Sequence, residues 1–146
     1  MKTLNQLKTI LKDWFNNHAM INSVYYEDDF DFNSERSIDY PVANIEFLSG
    51  NINDVEMLYN FKVVIADITK PDDTEMEDNI HSDALQIAED FFTFLQNYEV
   101  GISFNKISTL NKFTDDTGDR TSGIVFTFTL STIRPQNRCW TPVKPS

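Results

Sequence analysis

Two segments with alternating apolar residues restrict the fold of this chain more than any other feature of its sequence. The first covers residues 55–69 and places Met57, Tyr59, Phe61, Val63 and Ile65 at every second position. The second covers residues 122–133 and does the same with Ile124, Phe126, Phe128 and Leu130. Successive side chains of a β-strand point to opposite faces, so a period of two is typical of strands. The chain is therefore predicted to build its core on a β-sheet.

Two other segments have helical periodicity. The first opens with Thr3 and Gln6, which have the spacing of a capping box, and is expected to end near His18. The second covers residues 79–98, and its apolar positions spread over roughly 180° of the helix. A single core face needs only roughly 100°, so part of this wider arc is expected to meet a partner subunit.

The order of these segments predicts a single α+β domain over residues 1–133. Its antiparallel sheet is expected to have about four to five strands, with the second helix packed across it and the amphipathic first helix at the N-terminus. Residues 42–48 and 55–69 are predicted to form a hairpin whose turn is Ser49-Gly50-Asn51. Residues 102–110 are predicted to form a further strand.

Residues 134–146 differ in composition from the rest of the chain. They contain three prolines, three bases and no acid, which prevents a helix and favours an extended arm. Trp140 in this segment is a large apolar anchor of the kind that dominates interface energies. The arm is expected to dock on a neighbouring copy, to fold back on its own domain, or to fray.

Acidic residues dominate the composition and are unevenly distributed. The chain has 23 Asp and Glu against 12 Lys and Arg, a formal net charge of −11. Fourteen of the acids fall in residues 27–39, 72–78 and 115–119. No coherent basic patch is visible, so direct nucleic-acid binding is not expected. No apolar run approaches the roughly 20 residues of a membrane-spanning helix.

Residues suited to catalysis or metal binding are sparse. Cys139 is the only thiol, and His18 and His81 are the only imidazoles, so no disulfide, zinc site or thiol nucleophile is expected. A partial EF-hand pattern fails at Ser34 and Tyr40, where glycine and glutamate are needed. The sequence predicts no enzyme, no cofactor and no bound metal, and it leaves open a weak Ca²⁺ or Mg²⁺ at the acidic loops.

The closing hairpin gives the sequence a family resemblance. Its loop and second strand read FTDDTGDRTSGIVFTFTLST over residues 113–132. With the opening helix, the long hairpin and the helix crossing the sheet, this pattern resembles the tail terminator (tail completion) and neck-ring, or head–tail connector, proteins of tailed bacteriophages. Residues 22–40, predicted as a short strand and a loop, and the proline-rich arm depart from that pattern. They leave open whether the chain is a terminator, a connector or a ring layer of a short-tailed phage.

The resemblance implies a structural virion protein, assembled in the host cytoplasm, that forms a ring at the neck or the head-proximal end of the tail. Such a ring, commonly a hexamer or dodecamer, contacts portal or connector and tail proteins, lets DNA pass without specific binding, and touches no membrane. A strand edge or the arm of one subunit would engage the next. The interface residues expected on this view are Trp140, Arg134, Arg138, Lys144, Phe92 and Phe94. The acids expected to line the lumen and repel DNA are Asp72, Asp73, Glu75, Glu77 and Asp78.

Two alternative functions remain open from the residues alone. One is a non-viral adaptor or ligand-binding α+β module, monomeric or dimeric, with the long hairpin as its binding edge. The other is a small metal-dependent hydrolase that would use the acidic loops.

Overall fold

The two long strands with alternating residues pair with each other at the centre of a six-stranded sheet. The computed structural model describes residues 3–26, 39–70, 72–97, 103–107, 109–115 and 121–134. Its elements are α1 (Leu4–Asn17), β1 (Ser23–Tyr25), β2 (Val42–Ile52), β3 (Glu56–Ile68), α2 (Thr74–Gln96), β4 (Ser103–Ile107), β5 (Asn111–Asp115) and β6 (Thr121–Ile133). The predicted α+β class is confirmed.

The sheet is mixed but mostly antiparallel. Its order is β1-β2-β3-β6-β4, with β5 also paired to β6. Strands β3 and β6 pair in an unbroken antiparallel register from Glu56↔Ile133 to Ile68↔Thr121. Strand β1 is the one parallel member, against the start of β2. The sheet has six strands where about four to five were predicted: β1 is the short strand expected within residues 22–40, β4 falls within the strand expected at 102–110, and β5 is the additional strand.

The outer edge beside β6 consists of two short strands placed end to end. Strand β4 pairs with the part of β6 from Phe128 to Ser131, and β5 pairs with the part from Thr121 to Val125. A register irregularity also interrupts β4 between Phe104 and Lys106. This edge is therefore broken along its length.

The β2–β3 hairpin is longer than predicted. Ser49, Gly50 and Asn51 lie within β2, where Gly50 faces Tyr59, so the prediction of a turn there was wrong. The reversal falls at residues 53–55 instead. The side-chain Oδ1 of Asn53 accepts hydrogen bonds from the backbone N–H groups of Val55 (2.9 Å) and Glu56 (2.6 Å). Asparagine stabilises such turns by replacing backbone acceptors with its own side-chain oxygen.

Both helices begin at side-chain caps. In α1, Thr3 and Gln6 form the predicted reciprocal capping box, and His18 is the C-cap. In α2, Asp73 is the N-cap, since its carboxylate accepts a hydrogen bond of 3.0 Å from the N–H of Met76. The second helix therefore starts at Thr74, five residues earlier than predicted. Carboxylates are favourable in the first helical turn because of the helix dipole, which is why this acidic stretch is helical rather than a loop.

Both helices pack on one face of the sheet. Phe91 of α2 lies at the centre of this core, with its ring 4.8 Å from that of Phe15 and 5.2 Å from that of Phe128. Phe92 packs on the rings of Phe104 and Phe126. Helix α2 is thus covered from two directions, by the sheet and by α1. Packing within the chain therefore accounts for its wide apolar arc, and the arc alone gives no reason to invoke a partner subunit.

The opposite face of the sheet carries a second, smaller apolar cluster at one end. Val42, Val64 and Ala66 are buried there, and Tyr25, Tyr40, Phe113 and Val125 pack against them. Farther along the same face most side chains are polar, apart from Leu58 and Ile133, and Thr129 donates a hydrogen bond of 2.7 Å to the Asn60 side-chain oxygen.

Candidate interaction surfaces

The reversal between β2 and β3 exposes an unusual amount of apolar surface. Here the hairpin tip means residues 48–56 together with Ile133 and Arg134. Its large apolar side chains are exposed by 73% at Ile133, 66% at Ile52, 55% at Val55 and 46% at Leu48. The sheet register places Ile52, which pairs with Met57, and Ile133, which pairs with Glu56, at the same end of the strands but on opposite faces of the sheet. Leu48 lies farther along β2, at the irregularity between Phe47 and Ser49. Exposed apolar side chains at the end of the hairpin make it a candidate interaction surface.

The hairpin tip also fixes the place where the C-terminal arm begins. The backbone N–H of Arg134 donates to the carbonyl oxygen of Val55 at 2.8 Å. Its guanidinium Nη1 donates to the carbonyl oxygen of Asn53 at 2.6 Å. Of the arm residues predicted at an interface, only Arg134 is therefore placed. Arg138, Trp140 and Lys144 lie outside the described residues.

The acidic residues predicted to face a lumen lie at the opposite end of the sheet. Strand β3 runs from the hairpin tip to Ile68, and α2 begins shortly after it. The end of β5 is at the same place, since Thr114 Oγ1 donates to Glu77 Oε1 at 3.4 Å. Asp72, at a φ of 63°, and the N-cap Asp73 precede the helix, and Glu75, Glu77 and Asp78 lie in its first two turns. Exposed apolar side chains are thus more numerous at the hairpin tip, which also carries Asp54 and Glu56, whereas acidic side chains are more numerous at the other end.

Burial affects one further carboxylate at the acidic end. Partial desolvation raises the pKa of Asp67, although the backbone N–H of Ile68 donates to it and opposes the shift; the charge of Asp83 adds to the rise. Both acids border a cavity of about 30 Å³ beneath α2, which has room for about one water molecule. Within the described ranges, no three His, Cys, Asp or Glu side chains gather closely enough to hold a metal ion.

A groove of about 380 Å³ lies between α1 and α2 on the surface of the helical layer. It is lined by Ile10, Asp13, Trp14, Asn17, His18 and Phe94. The four α1 residues from Ile10 to Asn17 follow the i, i+3, i+4, i+7 spacing of one helical face. The indole of Trp14 forms the floor of this groove, stacked on the ring of Phe94 at 5.7 Å and tilted against Phe91 at 5.2 Å. The predicted interface residue Phe94 lines the groove, whereas Phe92 is partly buried against Phe104 and Phe126.

A histidine–carboxylate pair closes one end of the groove. His18 Nε2 lies 2.9 Å from Asp90 Oδ2, and the backbone N–H of Met20 donates to His18 Nδ1 at 3.2 Å. Since Nδ1 accepts this bond, Nε2 carries the proton and donates to Asp90. The hydrogen bond from His18 is the main reason that the pKa of Asp90 lies below its usual range. A second hydrogen bond, from the side-chain amide of Gln86, lowers this pKa further. The pair joins the end of α1 to α2.

Replacing Asp90 with asparagine is expected to destabilise the protein slightly at neutral pH and not at all in acid. A carboxylate whose pKa is lowered by folding contributes stability above its unfolded pKa of about 3.9, and loses it as the pH falls through the folded value. Urea unfolding of both proteins between pH 3 and pH 7 measures this difference. The control is Glu89→Gln, the neighbouring exposed acid. A difference that persisted undiminished at pH 3 would contradict the assigned role.

The sequence signals for these surfaces were weak. The sequence predicts a strand and its turn for the residues of the hairpin tip. Only the sheet register shows that Ile52 and Ile133 lie at the same end of the sheet. The groove could not be predicted because it depends on the relative placement of two helices that are far apart in the chain.

No helix within the described part of the chain is long and apolar enough to cross a membrane. A scan of the chain against protein-family models found no match, and a search of curated proteins found none either.

Proposed function

We propose that this chain is a ring-forming structural protein of a tailed bacteriophage virion, located at the neck or the head-proximal end of the tail. The observation that carries the proposal is the hairpin tip, where the large apolar side chains of Ile52, Val55 and Ile133 are exposed at one end of the sheet. Apolar side chains exposed in this way are costly to leave in water and are typical of a surface that a protein partner covers. The family resemblance of the closing hairpin supplies the phage context.

The unequal ends of the molecule suit a ring of one subunit type. A head-to-tail interface joins two different surfaces of adjacent copies, and it closes when its rotation divides the circle. The apolar tip and the arm that starts beside it supply one such surface. The acidic end, if directed to the lumen, would repel DNA and let it pass without binding. Portal or connector proteins and tail proteins are the neighbours expected above and below such a ring.

Particle size tests the proposal most directly. Purified protein is expected to form closed rings of a single size in mass photometry and negative-stain micrographs. The double variant Ile52→Asp/Ile133→Asp is expected to remain folded and fail to form rings, because both side chains are exposed in the subunit and charge cannot be buried cheaply. Leu85→Asp, at an exposed apolar position on α2, is the matched control and should still assemble.

Two results would contradict the proposal. One is a wild-type protein that remains monomeric at high concentration. The other is its absence, by mass spectrometry, from the purified parent particle. If the protein formed rings in solution but was absent from the virion, the proposed ring assembly would stand and the proposed role in the phage particle would not.

A further inference from the structure

We infer that the groove between α1 and α2 receives the C-terminal arm, residues 135–146, of an adjacent copy. This inference rests on the proposed ring and assigns its subunit contact. The arm supplies Arg138, Lys144 and Trp140 and carries no acid. The groove offers aromatic surface and carboxylates at its rim, so the groove and the arm are complementary in apolar character and in charge.

The chemistry of the groove favours a basic peptide with an aromatic anchor. Trp14 and Ile10 provide apolar surface, and Asp13 is an exposed carboxylate on the rim. Asp90, partly exposed beside His18, adds a second negative charge. The lysines of α1 lie elsewhere: Lys8 sits over the ring of Tyr26, 4.3 Å from its centroid, and Lys12 is one turn further along that same side of the helix. Indole rings and arginine are also the side chains that contribute most to binding at interfaces.

The starting point and the length of the arm allow it to leave its own subunit. Arg134 is fixed at the hairpin tip by its two hydrogen bonds to the turn. The 12 residues that follow would reach about 37 Å if extended at about 3.1 Å per residue, and Trp140, the sixth of them, about 19 Å. Contact with a second copy also gives the head-to-tail geometry that a ring needs, with tip and arm on one subunit and helices on the next.

Crosslinking through the native thiol tests the contact in the full-length protein. Cys139 adjoins Trp140, and Asn17 is an exposed residue on the groove wall. Asn17→Cys, treated with a mild oxidant or a short bis-maleimide, is expected to give covalent dimers and larger species up to the closed ring on denaturing gels. Ser82→Cys, exposed on α2 away from the groove, is the matched control and should give at most traces. Asn17→Cys in a Cys139→Ser background should give none.

Each outcome has a distinct meaning. A faster-migrating monomer would show that the arm occupies the groove of its own subunit and would overturn the contact between copies. Intact rings without any crosslink at Asn17→Cys would overturn the groove assignment while leaving the proposed ring. A wild-type protein that forms no rings would overturn the proposed function itself.

A charge exchange gives a second, independent measurement. Asp13→Lys is expected to raise the concentration needed for half-assembly about tenfold at low salt, with less effect at high salt, because it places like charges together. Combining it with Arg138→Glu is expected to restore most of the assembly. Glu89→Lys, on the exposed side of α2, is the control and should have little effect. Failure of the double variant to improve on Asp13→Lys would count against the assigned pairing.

Discussion

Gly123→Ala is expected to destabilise the protein by at least about 3 kcal/mol, at or beyond the upper end of the usual cost of overpacking a core. A Cβ atom at this position would lie 1.8 Å from the carbonyl oxygen of Ile65 and 2.9 Å from the Cα atom of Ala66. Both are backbone atoms of β3, the strand that pairs with β6 at the centre of the sheet. No rotamer change relieves such a contact, so the two central strands must separate locally. Urea unfolding followed by far-UV circular dichroism measures the loss.

Gly50→Ala is the matched control for this prediction. Its added Cβ atom would meet Met57 Cε at 2.9 Å, and that atom is the mobile end of a flexible side chain. The expected change is within about 1 kcal/mol, since a methionine side chain adapts readily. Equal losses at both positions would show that the effect comes from the general difference between glycine and alanine rather than from the contact with β3.

Phe91→Ala is expected to remove about 3–5 kcal/mol of stability, the usual cost of deleting a fully buried phenylalanine ring. The ring is fully buried and contacts residues from three elements: Trp14 and Phe15 of α1, Phe92 of α2, and Phe126 and Phe128 of β6. Its removal would leave a cavity at the one point where both helices and the sheet meet. Because a domain of this size has only about 5–15 kcal/mol of net stability, much of it would be lost.

Leu85→Ala provides the comparison on the same helix. Leu85 is exposed, so its truncation is expected to change the free energy of unfolding by no more than about 0.5 kcal/mol. Phe91→Leu should lie between the two, because leucine fills part of the volume. A small effect at Phe91 would mean that the core is not organised around this ring.

The parts of the fold that the sequence predicted are those specified by local chemistry. The alternation from Ile124 to Leu130 gave β6 to within one residue at its start, and the capping box at Thr3 and Gln6 gave the start of α1. The turn at Ser49-Gly50-Asn51 was wrong because pairing with β3 overrides local turn propensity. The early start of α2 was missed because Asp73 and its neighbours favour loops and helix N-termini equally.

The candidate surfaces were less predictable for a different physical reason. A wide apolar arc on α2 has the same sequence pattern whether a second helix or a second subunit covers it. The structure shows that α1 and the sheet cover most of that arc, leaving Phe94 at a groove and Phe92 partly buried against the sheet. Which side chains are exposed at the hairpin tip depends on the strand register, because a slip of one residue would turn every side chain of a strand to the other face. Exposure of this kind is a property of the folded molecule and not of any short segment.

The broken outer strand beside β6 has a consequence for how this protein can fail. A continuous, unpaired strand is a template on which further chains add without limit, and it is the usual origin of amyloid. Within the part of the chain that the structure describes, the border beside β6 is divided between β4 and β5, so it offers no long ladder to an incoming chain. On the other side, β1 pairs only with residues 42–44 of the longer β2. An incoming chain that approached along β6 would therefore meet two short strands rather than one continuous template.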